Sequence, residues 1–198
     1  MLIPVVDTVT FNKYFKIITP PAIEPITVDE VKDFARIDGT DEDDMIEKYI
    51  IAARQACELY LGRALITQTI RMSLDEWNVK EIKLQRPPLI AVTSITTIDE
   101  DDVETTYSSD NYYVVTDSIP GKVVIKSGST VPTNSVRCSS GFRITYTAGY
   151  GTAASDVPQA IRTSLKLWTT AIYETRDLTG DPAPDVKAML SLYRVRNL

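Results

Sequence analysis

The run Gly149-Tyr150-Gly151-Thr152-Ala153-Ala154 has the spacing G-x-G-x-x-A. It follows a strand-like stretch and precedes a helix-like one, the local setting of a turn that holds a dinucleotide pyrophosphate on backbone N–H groups. Three features oppose that chemistry. The helical signal begins only at Asp156, no second parallel strand follows the helix, and no acidic residue can be assigned to a ribose hydroxyl. The competing reading is a turn that leads from a β region back into helices. Acidic runs at Asp38–Asp44 and Asp99–Asp102 offer hard oxygen ligands of the kind Ca²⁺ takes, but neither is an EF-hand loop: Gly39 is misplaced and the closing Glu is missing. Helix capping and a solvated face are the favoured reading of both runs. The chain has no histidine, which removes the commonest metal ligand, the usual general base and every Ser-His or Cys-His pair. Of the two cysteines, Cys57 and Cys138, the simpler reading is two free thiols; a disulfide is the alternative. We therefore expect no catalytic residue, no metal and no cofactor.

The other stretch with binding character is the C-terminus. Tyr193, Arg194, Arg196 and Leu198 combine an aromatic ring, two guanidinium groups and an apolar end. Aromatic and Arg side chains are the usual anchors of protein interfaces. A frayed terminus is the alternative.

Composition sets the wider bounds. The chain has 198 residues and a net charge of −6, with no basic tract, which argues against tight sequence-independent nucleic-acid binding. No apolar run approaches a transmembrane length, so no membrane span is expected. The start MLIPVVDTVTFNKYF lacks the pattern of a signal peptide, so a cytoplasmic origin is expected.

The elements that must position these residues are legible from periodicity. Thr27 and Glu30 have capping-box spacing ahead of a short helix with Val31, Phe34 and Ala35 on its apolar face. Thr40 or Asp41 can cap a second, longer helix, whose stripe runs through Met45, Ile46, Tyr49, Ile50, Ala53, Ala56, Cys57, Tyr60 and Leu61 and stops at Gly62. The period then changes to two: Ile66, Gln68, Ile70, Met72 and Leu74 share one face of a strand, continued by Ile82 and Leu84. LIAVTSITTI (89–98), a hairpin around Ser118–Gly121 and a strand through Phe142, Ile144 and Tyr146 follow. Asp156 as cap and Pro158 in the first turn open a helix with Ile161, Leu165, Trp168 and Ile172 inward, and Val186, Met189, Leu190 and Tyr193 mark a last one. Phe34, Ile46, Tyr49, Ile50, Ala53, Leu165, Trp168 and Ile172 are expected to pack as one helical core.

The fold expected is α+β: a helical scaffold of about four helices, with an inserted, mostly antiparallel β part between the second and third. The scaffold covers 17–63 and 155–198 and the inserted β region 64–154. Residues 1–16 form an N-terminal arm, either frayed or extended onto a neighbour.

ITPPAIEPIT, the link ARIDGTDEDD, LYLGRALITQT, RPPLIAVTSI, RITYTAGYG, VPQAIRTSLKLWTTAIYETRD and the terminal LYR, in that order, resemble the head–tail connector (adaptor or head-completion) proteins of tailed phages and gene transfer agents. The resemblance spans residues 17–196. It implies a structural virion protein of the neck. Copies would form a ring, usually dodecameric, below the portal protein. The ring would extend the DNA channel, let packaged DNA pass without specific binding and offer a docking surface to a downstream neck or tail protein. It also points to Tyr193, Arg194, Arg196 and Leu198 as the portal-docking residues. The rival classes are a β-type binding or decoration module on a helical stalk, and a nucleotide-binding enzyme using the Gly149–Gly151 turn.

Overall fold

The computed structural model of the protein describes residues 13–77, 79–131, 136–177 and 182–195. In chain order its elements are β1 (Lys13–Thr19), α1 (Val28–Ala35), α2 (Asp43–Leu61), β2 (Gln68–Leu74), β3 (Glu81–Lys83), β4 (Leu89–Ile98), β5 (Glu104–Thr106), β6 (Tyr112–Val115), β7 (Lys122–Ile125), β8 (Phe142–Ala148), α3 (Gln159–Thr175) and α4 (Pro184–Ser191). The fold is α+β, with helices on either side of a long antiparallel β region.

The capping box of α1 forms as its spacing requires: Thr27 Oγ1 accepts the Glu30 N–H at 3.2 Å, and Glu30 Oε2 accepts the Thr27 N–H at 3.1 Å. Phe34 departs from expectation, since it is exposed. The inward stripe of α1 is Val28, Val31 and Ala35, and at 3.6 residues per turn Phe34 falls about 90° from its centre. The N-cap of α2 is Glu42, not Thr40 or Asp41. The Thr40 carbonyl accepts the Asp43 N–H, and the Glu42 carboxylate turns outward to accept the Tyr173 hydroxyl. Gly62 ends α2 in the left-handed conformation, φ 66°. Asp156 does not cap α3. Pro158 holds Val157 extended (φ −77°, ψ 129°), so the helix starts only at Gln159, while Asp156 closes a single 3₁₀ turn by accepting the Ala153 N–H at 2.9 Å.

Five strands form one antiparallel sheet in the order β1-β2-β8-β4-β5. Burial alternates strictly along β2 and β8, as the period of two demands. Ile82, expected to carry on from β2, lies instead on β3 in a second, three-stranded sheet of order β3-β7-β6. The first strand is a further departure. β1 straddles the expected arm and lead-in and pairs with β2 from Lys13↔Leu74 to Thr19↔Thr69, so one sheet strand comes from ahead of the helices. Residues 1–12 lie outside the described residues.

The buried apolar side chains divide into two clusters. One is helical, with Val31, Ile46, Ile50, Ala53, Cys57, Leu61, Ile161, Leu165, Trp168, Ile172, Val186 and Leu190; Tyr49 packs against it half-buried. The other fills the space between the sheets with Ile70, Met72, Ile82, Ile95, Val123, Ile144 and Tyr146, and Trp77 meets Phe142 edge-on at its end.

Candidate functional site

Two features singled out in the sequence, the Gly149–Gly151 turn and the C-terminal segment, come together at the end of α2. Gly149 has φ 141°, and a Cβ there would lie 2.6–2.7 Å from the backbone of Ile66 and Thr67. The glycine is thus required by close approach of two chain segments. The backbone of the turn is already committed. Gly149 N donates to Pro88 O (2.9 Å), Tyr150 N to Leu65 O (3.0 Å), and Gly151 O accepts the Thr67 N–H (2.9 Å). A phosphate cradle needs free N–H groups aimed at the ligand from a helix start. Here two of them are spent inside the protein and α3 begins only at Gln159, so the geometry favours the chain-return turn.

Arg63, just past the end of α2, joins this turn to the C-terminus. Its guanidinium lies 5.9 Å from the Tyr150 ring centroid, and its Nε donates to the Tyr193 carbonyl. Val195 N donates to Leu61 O at 2.9 Å, and the Arg194 guanidinium stacks 5.0 Å from the Tyr60 ring centroid. Tyr193 packs half-buried against the helical cluster, while Arg194 is exposed. The segment after α4 is therefore bonded along the last turn of α2. Arg196 and Leu198 lie outside the described residues.

Beneath this surface lies a charged group that sequence reasoning missed. Glu58 is 2% exposed, yet every polar atom of its carboxylate has a donor. Oε1 accepts the Leu65 N–H (2.9 Å) and the Gln68 amide (3.0 Å), and Oε2 accepts Arg54 Nη1 (3.1 Å); Arg54 in turn donates to Glu24 Oε2 at 2.7 Å. Burial pushes the Glu58 carboxyl above its ordinary range, while the Leu65 N–H and the charges of Arg54 and Arg86 pull back. The signal was present in the stripe: Ile50, Arg54, Cys57, Glu58 and Leu61 share one helical face, so an Arg–Glu i,i+4 pair sits inside the apolar band. The arrangement is architectural. It ties α2 to the first residues of β2 and to the lead-in before α1.

Of the acidic runs, the first supplies an ion pair in the first turn of α2 and the second closes a turn. Asp43 pairs with Lys32 at 2.7 Å, and Asp99 Oδ1 accepts the N–H groups of Asp101 and Val103 at 3.0 and 2.8 Å. Among the described residues no group of three His, Cys, Asp or Glu side chains is placed to hold a metal, and no helix is long and apolar enough to cross a membrane. Both cysteines are free thiols. Cys57 is buried, and burial, with Glu58 beside it, pushes its thiol up to about 12.

The turn at Gly149–Gly151, the acidic runs and the Arg54–Glu58 pair thus all take part in holding the chain segments together. The head completion protein family matches residues 24–194, and the chain belongs to that family. That makes it a structural virion protein of the head–tail connector kind. The same fold occurs in proteins of gene transfer agent (GTA) particles. The match to a chain from the neck of an empty GTA particle computed with C6 symmetry has a TM-score of 0.78 at 25% identity. A chain from the neck of the native particle, computed with C12 symmetry, gives 0.77 at 25%, and one from the virion of the native particle 0.76 at 26%. Each match covers 93% of this chain and 97% of the other. No curated protein matches the chain.

Proposed function

We propose that the protein is the adaptor ring of a particle neck, seated below the portal protein and presenting its far side to a neck or tail protein. The observation that carries this reading is the near full-length likeness to neck chains solved with six-fold and twelve-fold symmetry, on a chain of the head completion family. A twelve-fold ring is the reading that fits both symmetries. The role is assembly without catalysis, metal or cofactor. DNA passes through the ring without specific binding, since each copy adds a net charge of −6 and phosphate binding needs clustered cations.

For portal docking we keep the C-terminal segment, Tyr193, Arg194, Arg196 and Leu198. Its support is the anchoring just described. Bonds from Arg63 and Val195 hold the segment along α2, so its exposed Arg194 is presented in a fixed position, and less ordering entropy is lost on docking. Arg suits the task because its planar fork pairs bidentately with carboxylates. Tyr193 serves mainly to seat the segment. The informative truncation is therefore removal of 196–198, which leaves the Tyr193 and Val195 bonds in place.

The test is imaging of particles carrying a labelled subunit, with the truncation alongside. Density at the neck, in a ring, is expected; the truncated subunit should fold but be lost from DNA-filled heads. Label distributed over the capsid or tail tip would overturn the adaptor reading in favour of a decoration module. Unchanged occupancy of the truncated subunit would move portal docking to another surface.

A further inference from the structure

The two edges of the five-stranded sheet are unlike. β5, at one edge, has three residues, and it grows from a turn in which five of the six residues from Asp99 to Glu104 are acidic. Arg137 and Arg143 pair with Asp102 and Glu104, which leaves Glu100 and Asp101 as charge at the tip, beside Val103 at 56% exposure. β1, at the other edge, has seven residues, and among the described residues no strand pairs with its outer side. Natural edges are blunted by shortness, charge, proline or bulges. β5 has the first two. β1 has one bulge between Ile17 and Thr19 and the single lysine Lys16 along its described side chains. Tyr14, Phe15, Ile17 and Ile18 are 56%, 42%, 39% and 41% exposed, with Arg86 stacked 5.1 Å from the Phe15 ring centroid. No acidic residue occurs from Thr8 to Ile23. One edge is thus apolar and cationic, the other acidic with an apolar tip.

Resting on the neck reading above, we propose that the β1 edge of each subunit is covered by the β4–β5 hairpin of the next copy in the ring. A cyclic ring is closed by head-to-tail contacts in which two different patches on opposite sides of the subunit meet. Four strand spacings of about 4.8 Å put the two edges roughly 19 Å apart, on opposite sides of the sheet. The charges match: Lys16 and Arg86 on one side, Glu100 and Asp101 on the other. The apolar residues match as well, Val103 against Phe15 and Ile17. Two copies meeting β1 to β1 would oppose like charges and close a dimer that cannot continue around a ring. Backbone pairing supplies the affinity in strand addition, and side chains on the added edge select the partner.

The test is made in assembled particles. Lys16→Cys and Thr105→Cys are introduced together in a Cys138→Ser background, necks are treated with a short bis-maleimide, and the subunit is followed on a denaturing gel. The expected result is a ladder of multimers up to the closed ring, with neither single cysteine variant giving one. In parallel, Lys16→Glu should lower the number of copies per neck, and adding Asp101→Lys should restore it. Necks that contain the double-cysteine subunit without a ladder would overturn this seam and leave the adaptor reading standing. Lys16→Cys alone linking into dimers would overturn it too. Absence of the unmodified subunit from necks would overturn both readings together.

Discussion

Replacing Glu58 by Ala should be among the most damaging single changes in the chain. The carboxylate is the shared acceptor for a backbone N–H on the way into β2, a side-chain amide on β2 and a guanidinium on α2. Without it, the Leu65 N–H and the Gln68 amide lose their acceptor in a region closed to water, and Gln68 Oε1 already lacks a partner. Arg54 keeps only Glu24, which is itself partly solvated. Removing one partner of a buried pair costs about 3–5 kcal/mol, because the remaining groups stay desolvated. For a chain of this size each kcal/mol lowers Tm by roughly 2–4 °C, so a fall of about 6–20 °C is expected. Glu58→Gln keeps an oxygen for Leu65 and Gln68 but loses the charge toward Arg54, and should cost about 1.5–3 kcal/mol, the range for one charge-assisted bond. Arg54→Met combined with Glu58→Leu removes both charges and should recover much of the loss. Urea unfolding of the three variants, fitted with a common slope, measures the series. A loss below about 1 kcal/mol for Glu58→Ala would refute the reasoning, because it would mean that water reaches the freed groups.

Leu165→Ala should cost about 2–5 kcal/mol in the same assay, since that side chain is 1% exposed within the helical cluster. Gly149→Ala should destabilise the chain by more than about 1 kcal/mol, by strain at φ 141° and by contact with the Ile66–Thr67 backbone; an unchanged melting temperature would show that the turn can shift. At Glu30, burial raises the carboxyl, but the Thr27 N–H together with Lys166 and Arg162 outweighs it, so its pKa lies below the ordinary range. Its contribution to stability is therefore present at neutral pH and is lost as pH falls through the folded value. Glu30→Gln should flatten the acid limb of the stability profile, and parallel profiles for both proteins would count against the pairing.

The elements easiest to read were those with one buried face. The capping box of α1, the glycine stop of α2 and the alternation of β2 and β8 follow from sequence because each is set by local geometry or by a single period. β1 was not legible, because Tyr14, Phe15, Ile17 and Ile18 put apolar groups on both faces of a strand that is exposed on both. Its pairing depends on β2, far along the chain. Phe34 was misplaced because so short a helix samples its stripe only twice. Glu58 escaped notice because an acidic residue near a helix C-terminus reads as solvated unless the apolar stripe around it is weighed first. The C-terminal residues were visible as types, but that Tyr193 faces inward and Arg194 outward is decided by the last turn of α2, not by their own spacing.

The bridge between Ile66 and Gly151 has a consequence for the history of the fold. The chain leaves the helical layer and re-enters it at one point, with the Thr67 N–H bonded to the Gly151 carbonyl like a clasp. The β region between these residues is held by this clasp and by the β1–β2 ladder. The strands of the separate β3-β7-β6 sheet pair only with one another, so they can be lengthened or exchanged without altering the path of α2 or α3. Within such a lineage, that sheet is free to follow a changing neighbour while the helices keep their own.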